Sequence, residues 1–193
     1  MEDGSNRIEC DSVDLSAIIH EICDEVALLP DVKRMRMNLE LPEPMMVRGN
    51  SSLLMSIFKN LTDNAIAYSG GRDIFIKASE GDNNMYVITV ADNGIGIDND
   101  HIGHIFERFY QIDSSHSGGS GIGLALVKTF VDMQGGKIDV ESTPKKGTVF
   151  TVTLPVTPVE GTVSEPVNLI SGERVVSELG DISVEEKKDE FQS

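Results

Sequence analysis

Hydrophobic residues recur every three or four positions in three segments of the chain, and this spacing predicts amphipathic helices. The first helix covers residues 13–29 and ends before Pro30. The second follows Asn50, a typical helix-capping residue, and extends to about Tyr68, while the third covers residues 123–134. Each predicted helix carries an apolar stripe that needs a partner surface.

Six further segments are apolar at alternating positions, or short and apolar between turn residues, which favours β-strands. They cover residues 36–41, 45–49, 73–79, 85–92, 137–142 and 147–155. The turn sequences GDNN (81–84) and PKKG (144–147) join two pairs of them into hairpins. These elements predict an α/β (α+β) two-layer sandwich, in which a mixed, mostly antiparallel sheet packs on about three helices.

The sequence predicts three regions in the chain. We expect a flexible N-terminal segment over residues 1–12, one folded domain over 13–155, and an acidic C-terminal tail over 156–193 that is largely disordered or weakly docked. A length of 193 residues with 39% hydrophobic residues suits one domain and a tail.

The formal net charge of −16 disfavours binding to nucleic acid and to anionic membranes, because both need clustered cations. No apolar run is long enough to span a bilayer, and the acidic, polar N-terminus predicts no signal peptide. Two cysteines, Cys10 and Cys23, do not make a disulfide framework. These features predict a cytoplasmic domain in a reducing compartment.

Two glycine-rich runs are candidates for phosphate binding. The run ADNGIGID (91–98) follows a predicted strand, and GGSGIGLALVK (118–128) leads into a helix, where backbone N–H groups can approach a phosphate. Turns also need glycine, so either run alone is weak support. Neither run is a Walker A motif or a dinucleotide fingerprint.

The second predicted helix contains Asn60, Asp63 and Asn64, which are poor residues for a helix interior. The two asparagines lie at one edge of the apolar stripe formed by Leu54, Ile57, Leu61, Ala65 and Tyr68. A neutral amide oxygen there could ligate Mg²⁺ beside phosphates. Alternatively, both side chains could form hydrogen bonds with a neighbouring loop.

Five motifs occur in the order NLTDNAIAYS, ADNGIGI, IFERFY, GGSGIGLALVK and GTVFTVTLP. This order resembles the N, G1, F, G2 and G3 boxes of the catalytic and ATP-binding (HATPase_c) domain of bacterial two-component sensor histidine kinases. That domain has the Bergerat (GHKL) fold, which type II topoisomerases, mismatch-repair ATPases and ninety-kilodalton heat-shock chaperones share. The resemblance covers residues 13–155, and FERFY (106–110) selects the histidine kinases among these families.

The resemblance implies ATP and Mg²⁺ as cofactors and assigns the residues that act on the phosphates. Asn64 would ligate Mg²⁺, Asn60 would contact phosphate or metal-bound water, and Arg108 would reach the phosphates. A lid over residues 107–118 would be anchored by Phe106 and Phe109. The remaining nucleotide contacts would come from Gly119, Ser120, Gly121, Ile122, Gly123 and Leu124.

The resemblance also implies the contacts of the base. Asp92 would accept a hydrogen bond from the adenine amino group, and Thr148 would approach adenine through water. Tyr68 and Ile97 would flank the base. Gly94 and Gly96 would keep the adjoining wall low. Because a carboxylate accepts hydrogen bonds but cannot donate them, Asp92 would favour adenine over guanine.

Two positions depart from the family pattern. Ala67 stands where relatives commonly carry a cation, and the segment QIDSSHS (111–117) contains no Lys or Arg, so that His116 is its single possible cation. The loss of two charge-assisted contacts, each worth about 1.5–3 kcal/mol, predicts weaker ATP binding.

The histidines indicate whether the chain carries its own phosphoacceptor or a metal site. His20 lacks the continuation of a phosphoacceptor motif and is expected to be a solvated helix residue. His101 and His104 have helical spacing but no evident third metal ligand. We therefore expect a monomeric catalytic portion of a sensor kinase, without its sensor or acceptor helices. Its partners would be a histidine-bearing dimerisation domain and a response regulator.

Three functional classes remain open. The chain could transfer the γ-phosphoryl group of ATP to a histidine on another domain. It could be a self-contained ATPase switch, although those relatives carry a water-activating Glu where Asn60 stands, and asparagine is no general base. It could also be a nucleotide-binding pseudokinase, as Ala67 and the uncharged lid suggest. A serine kinase of the anti-sigma type is disfavoured by FERFY.

Overall fold

A computed structural model describes residues 10–28, 35–70, 73–112 and 121–157. Its elements, in chain order, are β1 (Asp11–Asp14), α1 (Leu15–Ala27), β2 (Met37–Glu40), β3 (Met46–Gly49), α2 (Ser51–Tyr68), β4 (Ile74–Glu80), β5 (Met85–Asp92), α3 (Asn99–Ile102), α4 (Gly123–Met133), β6 (Lys137–Thr143) and β7 (Gly147–Pro155). The three predicted helices and six predicted strands are present, with ends that differ by one or two residues.

Five strands form one sheet in the order β2-β4-β5-β7-β6. The β2–β4 pair is parallel and the other pairs are antiparallel, so the prediction of a mixed, mostly antiparallel sheet is confirmed. Alternate residues of the central strands, such as Ile88, Val90 and Val152, are buried. This alternation gives the sheet one face that joins the hydrophobic core of the helices.

The central helix of the core is α2, which packs against α1, α4 and β5. Its predicted apolar stripe is buried from Leu54 through Ala65. Tyr68, which the helical projection places on the same stripe, is 41% exposed. It is the last residue of α2, so burial of the stripe ends one turn before the end of the helix.

A short antiparallel ladder of β1 and β3, which the sequence pattern did not predict, begins the domain. Asp14 ends β1 and caps α1, because its Oδ1 accepts hydrogen bonds from the N–H groups of Ser16 (3.0 Å) and Met45 (3.1 Å). The helix predicted from residue 13 therefore begins at Leu15.

The chain continues beyond β7 in contact with the same small ladder. Val156 pairs with Val47, and the N–H of Thr157 donates to the carbonyl of Met46 at 3.1 Å. The rest of the predicted tail, and residues 1–9 of the predicted N-terminal segment, lie outside the described residues. The three-region division stays a prediction.

Both cysteines are free thiols, and Cys23 is buried. Burial raises the pKa of the Cys23 thiol to about 11, which makes it a poor nucleophile at neutral pH. Within the described ranges, no helix combines the length and apolar character that a membrane crossing requires.

Candidate nucleotide-binding site

Asp92 is the last residue of β5 and pairs with Thr148 of β7. Its Oδ1 accepts a hydrogen bond from the N–H of Gly94 at 2.8 Å. Burial raises the pKa of the Asp92 carboxyl, and hydrogen bonds from the backbones of Gly94 and Thr148 offset this effect in part. The result is a half-buried hydrogen-bond acceptor that the backbone holds in a fixed orientation.

The loop after Asp92 lies against the C-terminal end of α2. The N–H of Ile95 donates to the carbonyl of Tyr68 at 3.1 Å. A Cβ atom on Gly94 would lie 2.0 Å from the same carbonyl oxygen. Glycine is therefore required at this position for steric reasons, and it brings Tyr68 beside the Asp92 loop.

The hairpin of β6 and β7 closes the other side of this loop. The N–H of Lys145 donates to the carbonyl of Ile95 at 2.6 Å. Gly96 has a φ of +68°, and a Cβ there would lie 2.1 Å from the carbonyl oxygen of Thr143. Gly147, which the sequence analysis did not assign to the site, would place a Cβ 1.9 Å from the carbonyl oxygen of Asp92.

Hydrogen bonds around Ser142 fix the direction in which the Thr148 hydroxyl donates. Ser142 Oγ donates to the carbonyl of Gly147 at 2.9 Å and accepts from the N–H of Ile97 at 2.8 Å. Because that single proton is already donated, the 2.9 Å contact with Thr148 requires Thr148 Oγ1 to be the donor. The remaining capacity of Thr148 Oγ1 is to accept. Ser142 was not among the predicted site residues, because an ordinary serine in a strand gives no signal in the sequence.

A cavity of about 500 Å³ lies at this end of the sheet, beside Asp92. Its lining comes from β5, α3 and the β6–β7 hairpin and consists of Asp92, Ile102, Glu141, Ser142, Thr143, Lys146, Gly147 and Val149. Of the residues that the resemblance assigns to the base, this lining contains Asp92 but not Tyr68, Ile97 or Thr148.

The predicted phosphate region lies where α4 begins over α2. A Cβ on Gly123 would lie 2.8 Å from Asn60 Oδ1, so the first residue of α4 passes directly over Asn60. Asn60 Nδ2 donates to the carbonyl of Ser56 at 2.7 Å, which leaves Oδ1 on the side of α4. Asn64 follows one turn later and is partly buried. The hypothesis that both asparagines bind a neighbouring loop does not describe Asn60, whose amide donates to its own helix.

The N-terminus of α4 has no side-chain cap. The N-cap residue is Ile122, which offers no acceptor, and Gly121 before it has a φ of +67°. Uncapped N–H groups and the helix dipole both favour an anion at this end. Gly121, Ile122, Gly123 and Leu124 form this uncapped end, and their contacts with phosphate stay a prediction, whereas Gly119 and Ser120 lie outside the described residues.

The two phenylalanines of FERFY behave differently. Phe106 packs edge-on against Phe150 of the core, with ring centroids 6.4 Å apart, and Lys128 Nζ lies 5.8 Å from the Phe106 ring centroid. Phe109 is 73% exposed and has a φ of +66°, so the expectation that its side chain anchors the lid is wrong. Its backbone N–H instead donates to the carbonyl of Gly121 at 2.8 Å.

Arg108 is exposed, and no ion pair links it to another residue in the described part of the chain. Its predicted contact with phosphates therefore stays a prediction. Ala67 is also exposed on α2, one turn beyond Asn64. The side chain of His116 lies outside the described residues.

The other histidines have local partners. His101 Nδ1 lies 2.6 Å from the Tyr110 hydroxyl, and His104 Nδ1 lies 2.8 Å from Glu107 Oε1. His20 pairs with the exposed Glu43 at 2.8 Å. Among the residues that the structure describes, no group of three or more His, Cys, Asp or Glu side chains could hold a metal ion.

Residues 49–158 match the family described as histidine kinase-, DNA gyrase B-, and HSP90-like ATPase (HATPase_c). The sensor-like histidine kinase SenX3 of Mycolicibacterium smegmatis is 35% identical over 157 residues, which are 79% of this chain and 41% of SenX3. The sensor histidine kinase RppB of Synechocystis is 44% identical over 114 residues, 56% of this chain and 24% of RppB. The chain therefore spans less than half the length of either curated relative.

The solved structure of the mycobacterial sensor histidine kinase MprB superimposes with a TM-score of 0.69 at 27% identity, covering 78% of this chain and 99% of that chain. The sequence match and the geometry lead to one conclusion: the chain belongs to the HATPase_c family and contains an ATP-binding catalytic domain of the sensor histidine kinase type.

Proposed function

We propose that this domain binds Mg·ATP and transfers the γ-phosphoryl group to a histidine on a separate dimerisation domain, as a step of two-component signal transduction. The observation that carries the proposal is the junction of three elements at one end of the fold. Asp92 is an oriented acceptor, the loop after it contacts the exposed Tyr68 at the end of α2, and the uncapped start of α4 lies over Asn60 on the same helix. These features define the path that we propose for the nucleotide.

The base end of this path suits adenine. The Asp92 carboxylate accepts a hydrogen bond from the exocyclic amino group, whereas guanine would present a carbonyl oxygen there. Thr148 Oγ1 retains an acceptor site for a bridging water, because its proton goes to Ser142. The Tyr68 ring and the partly buried Ile97 flank the base.

The part of the proposed path that holds the phosphates lies nearer the N-terminus of α2. Asn60 is eight residues before Tyr68, which corresponds to about 12 Å of helix. Asn64 Oδ1 ligates Mg²⁺ in this proposal, Asn60 holds phosphate or a metal-bound water, and the N–H groups at Gly121 and Gly123 bind phosphate oxygens. Arg108 approaches the phosphates from the lid.

The reaction that follows from these residues is phosphoryl transfer rather than hydrolysis. Transfer depends mainly on positioning and on charge stabilisation, which Mg²⁺ and the α4 N-terminus supply. Hydrolysis needs a group that activates water, and the Asn60 amide is not basic. The domain therefore serves an acceptor histidine that another domain supplies.

The proposed partners are a histidine-bearing dimerisation domain of the same kinase and, downstream, a response regulator. We expect the catalytic domain by itself to be a monomer located in the cytoplasm. Both free cysteines fit a reducing compartment.

A second candidate function is a nucleotide-binding regulatory module without transfer activity. The exposed Ala67 favours it, because that position offers no cation to the phosphates. Lys128, a cation near the start of α4, lies over the Phe106 ring and so does not replace the cation that position 67 lacks.

The deciding experiment combines the chain with dimerisation domains from sensor kinases and γ-labelled ATP, and measures acid-labile phosphate on the acceptor. Phosphotransfer that requires Mg²⁺ supports the proposal. Asn64→Asp should remove it, because the new carboxylate repels the phosphates. Asn84→Asp, an exposed change in the β4–β5 turn, should not affect it. ATP binding without transfer to any acceptor would favour the regulatory module.

A further inference from the structure

A second cavity, of about 460 Å³, lies where α4 ends. Its lining consists of Cys10, Arg48, Met133, Gln134, Gly135 and Pro155. The nucleotide site lies at the start of α4 and the end of α2, whereas this cavity lies at the end of α4, beside the start of α2. The proposed phosphotransfer involves none of the residues that line it, and the family motif GTVFTVTLP reaches it through its last residue, Pro155.

Gln134 is a buried polar residue in the lining of this cavity. The residue is 5% exposed, and its Oε1 accepts a hydrogen bond from the N–H of Asn50 at 2.8 Å. This bond fixes the amide orientation, because a backbone N–H can donate only. A Cβ on Gly49 would lie 2.3 Å from Oε1, so a side chain at position 49 would force the Gln134 amide to shift.

The other half of the Gln134 amide has no partner. Gln134 Nε2 is buried and forms no hydrogen bond within the described structure. Its orientation is fixed by Oε1, so rotation of the amide cannot satisfy it. A buried donor without an acceptor is unfavourable, which makes this nitrogen a candidate contact for a ligand oxygen.

The rest of the lining indicates what that ligand carries. Arg48 is exposed, and within the described ranges no carboxylate pairs with it. Met133, which is 52% exposed, and Pro155 add an apolar surface. Gly135 borders open space, since a Cβ there would meet no atom within 4 Å.

We propose that this cavity is a binding site for a small organic carboxylate. One carboxylate oxygen accepts from Gln134 Nε2, the Arg48 guanidinium pairs with the charge, and the apolar body lies on Met133 and Pro155. Met133 is unbranched and half exposed, so its side chain can move to admit the ligand to Nε2.

Other ligand classes fit less well. An amine or a hard metal cation would meet the charge of Arg48 and the donor Gln134 Nε2, and the side chains that line this cavity carry no carboxylate to balance its charge. A phosphate dianion would meet a single guanidinium, and it would lie beside the C-terminal end of α4, whose dipole disfavours dense negative charge. A monoanionic carboxylate needs one cation and one neutral donor, which this cavity provides.

Sodium benzoate is the test probe, with benzylamine as the matched cation. In ¹H–¹⁵N spectra of the full chain, the Gln134 side-chain NH₂ pair is identified by its loss in Gln134→Glu. If that variant does not fold, the pair is assigned through bonds in the wild-type protein. We expect saturable shifts of this pair with benzoate at millimolar concentration, and none with benzylamine.

Arg48→Met should weaken benzoate binding about tenfold, which corresponds to the loss of one charge-assisted contact. Arg36→Met is the control, because Arg36 is also exposed but pairs with Asp73 at the other edge of the sheet. Addition of Mg·ATP should not displace benzoate. The proposal is overturned if the pair does not shift up to about 20 mM benzoate. It is also overturned by equal shifts with benzylamine, by unchanged affinity in Arg48→Met, or by displacement with ATP.

Discussion

Asp92→Asn tests the assignment of the base pocket most directly. The change keeps the shape of the side chain and an oxygen that can accept from the N–H of Gly94, but it removes the charge. With that oxygen held by Gly94, the new Nδ2 group occupies the position of the acceptor. A donor would then meet the amino group of adenine, which is also a donor.

Two contributions set the size of the effect. Loss of the charge-assisted hydrogen bond costs about 1.5–3 kcal/mol, and the unpaired donor costs about 1–3 kcal/mol. Together they correspond to roughly a 10²- to 10⁴-fold loss of affinity. Because Asp92 is half-buried and water can satisfy Nδ2 in part, we expect the lower end of this range, about 10²- to 10³-fold.

The assay is calorimetric titration with Mg·ATP and Mg·GTP. The amide introduced by Asp92→Asn can donate to the guanine carbonyl, so the preference for ATP over GTP should fall along with the ATP affinity. Asp82→Asn is the matched control, an exposed change in the turn at the opposite end of β5. An ATP affinity of the Asp92→Asn variant within about twofold of the wild type, in a folded protein, would refute the assignment.

The protonation of Asp92 should make both the stability of the domain and its ATP affinity depend on pH. Burial raises its pKa above the ordinary value of 3.8 in the folded protein. A raised carboxyl pKa means that the folded state holds the proton more tightly, so ionisation above the unfolded pKa destabilises the fold. Asp92→Asn should therefore unfold in urea at an equal or higher midpoint at pH 7. ATP affinity of the wild type should fall as the pH decreases towards the raised pKa.

Three other predictions concern single residues. Gly94→Ala should lower the free energy of unfolding by at least about 3 kcal/mol in urea titrations, because its Cβ would lie 2.0 Å from the Tyr68 carbonyl, whereas Gly103→Ala, with open space, should change it little. Ala67→Lys should tighten ATP binding about 2- to 5-fold, an effect that added salt weakens and that the distant Ala27→Lys does not reproduce. The isolated chain should release negligible phosphate from ATP at steady state; efficient turnover would contradict the interpretation of Asn60.

The elements were predictable because they depend on local spacing. Helical periodicity identified α1, α2 and α4, and alternation identified the strands of the main sheet. The ladder of β1 and β3 was missed because β1, with the sequence DSVD, has one apolar residue and gains its stability from pairing with a distant segment. The exposure of Tyr68 was missed for a related reason, since a helical projection does not show where the partner surface ends.

The candidate site was predictable where residue type alone carries the chemistry. The amide of Asn60, the acceptor Asp92 and the glycines before α4 stand out in their sequence context. Ser142 and Gly147 do not, because their roles arise from contacts with Ile97 and with the backbone of Asp92. The exposed side chain of Phe109 also depends on a backbone conformation with positive φ, which the motif FERFY does not reveal.

The sequence by itself determined the order of motifs, the family and the chemical groups predicted to face a nucleotide, because these follow from residue type and short-range spacing. The tertiary structure decided which glycines are sterically required, which way the hydroxyl of Thr148 donates, and that the Gln134 amide is half satisfied beside Gly49. Each of these properties depends on atoms from segments far apart in the chain. Close packing brings such segments within hydrogen-bonding or steric distance, and no local pattern records that proximity.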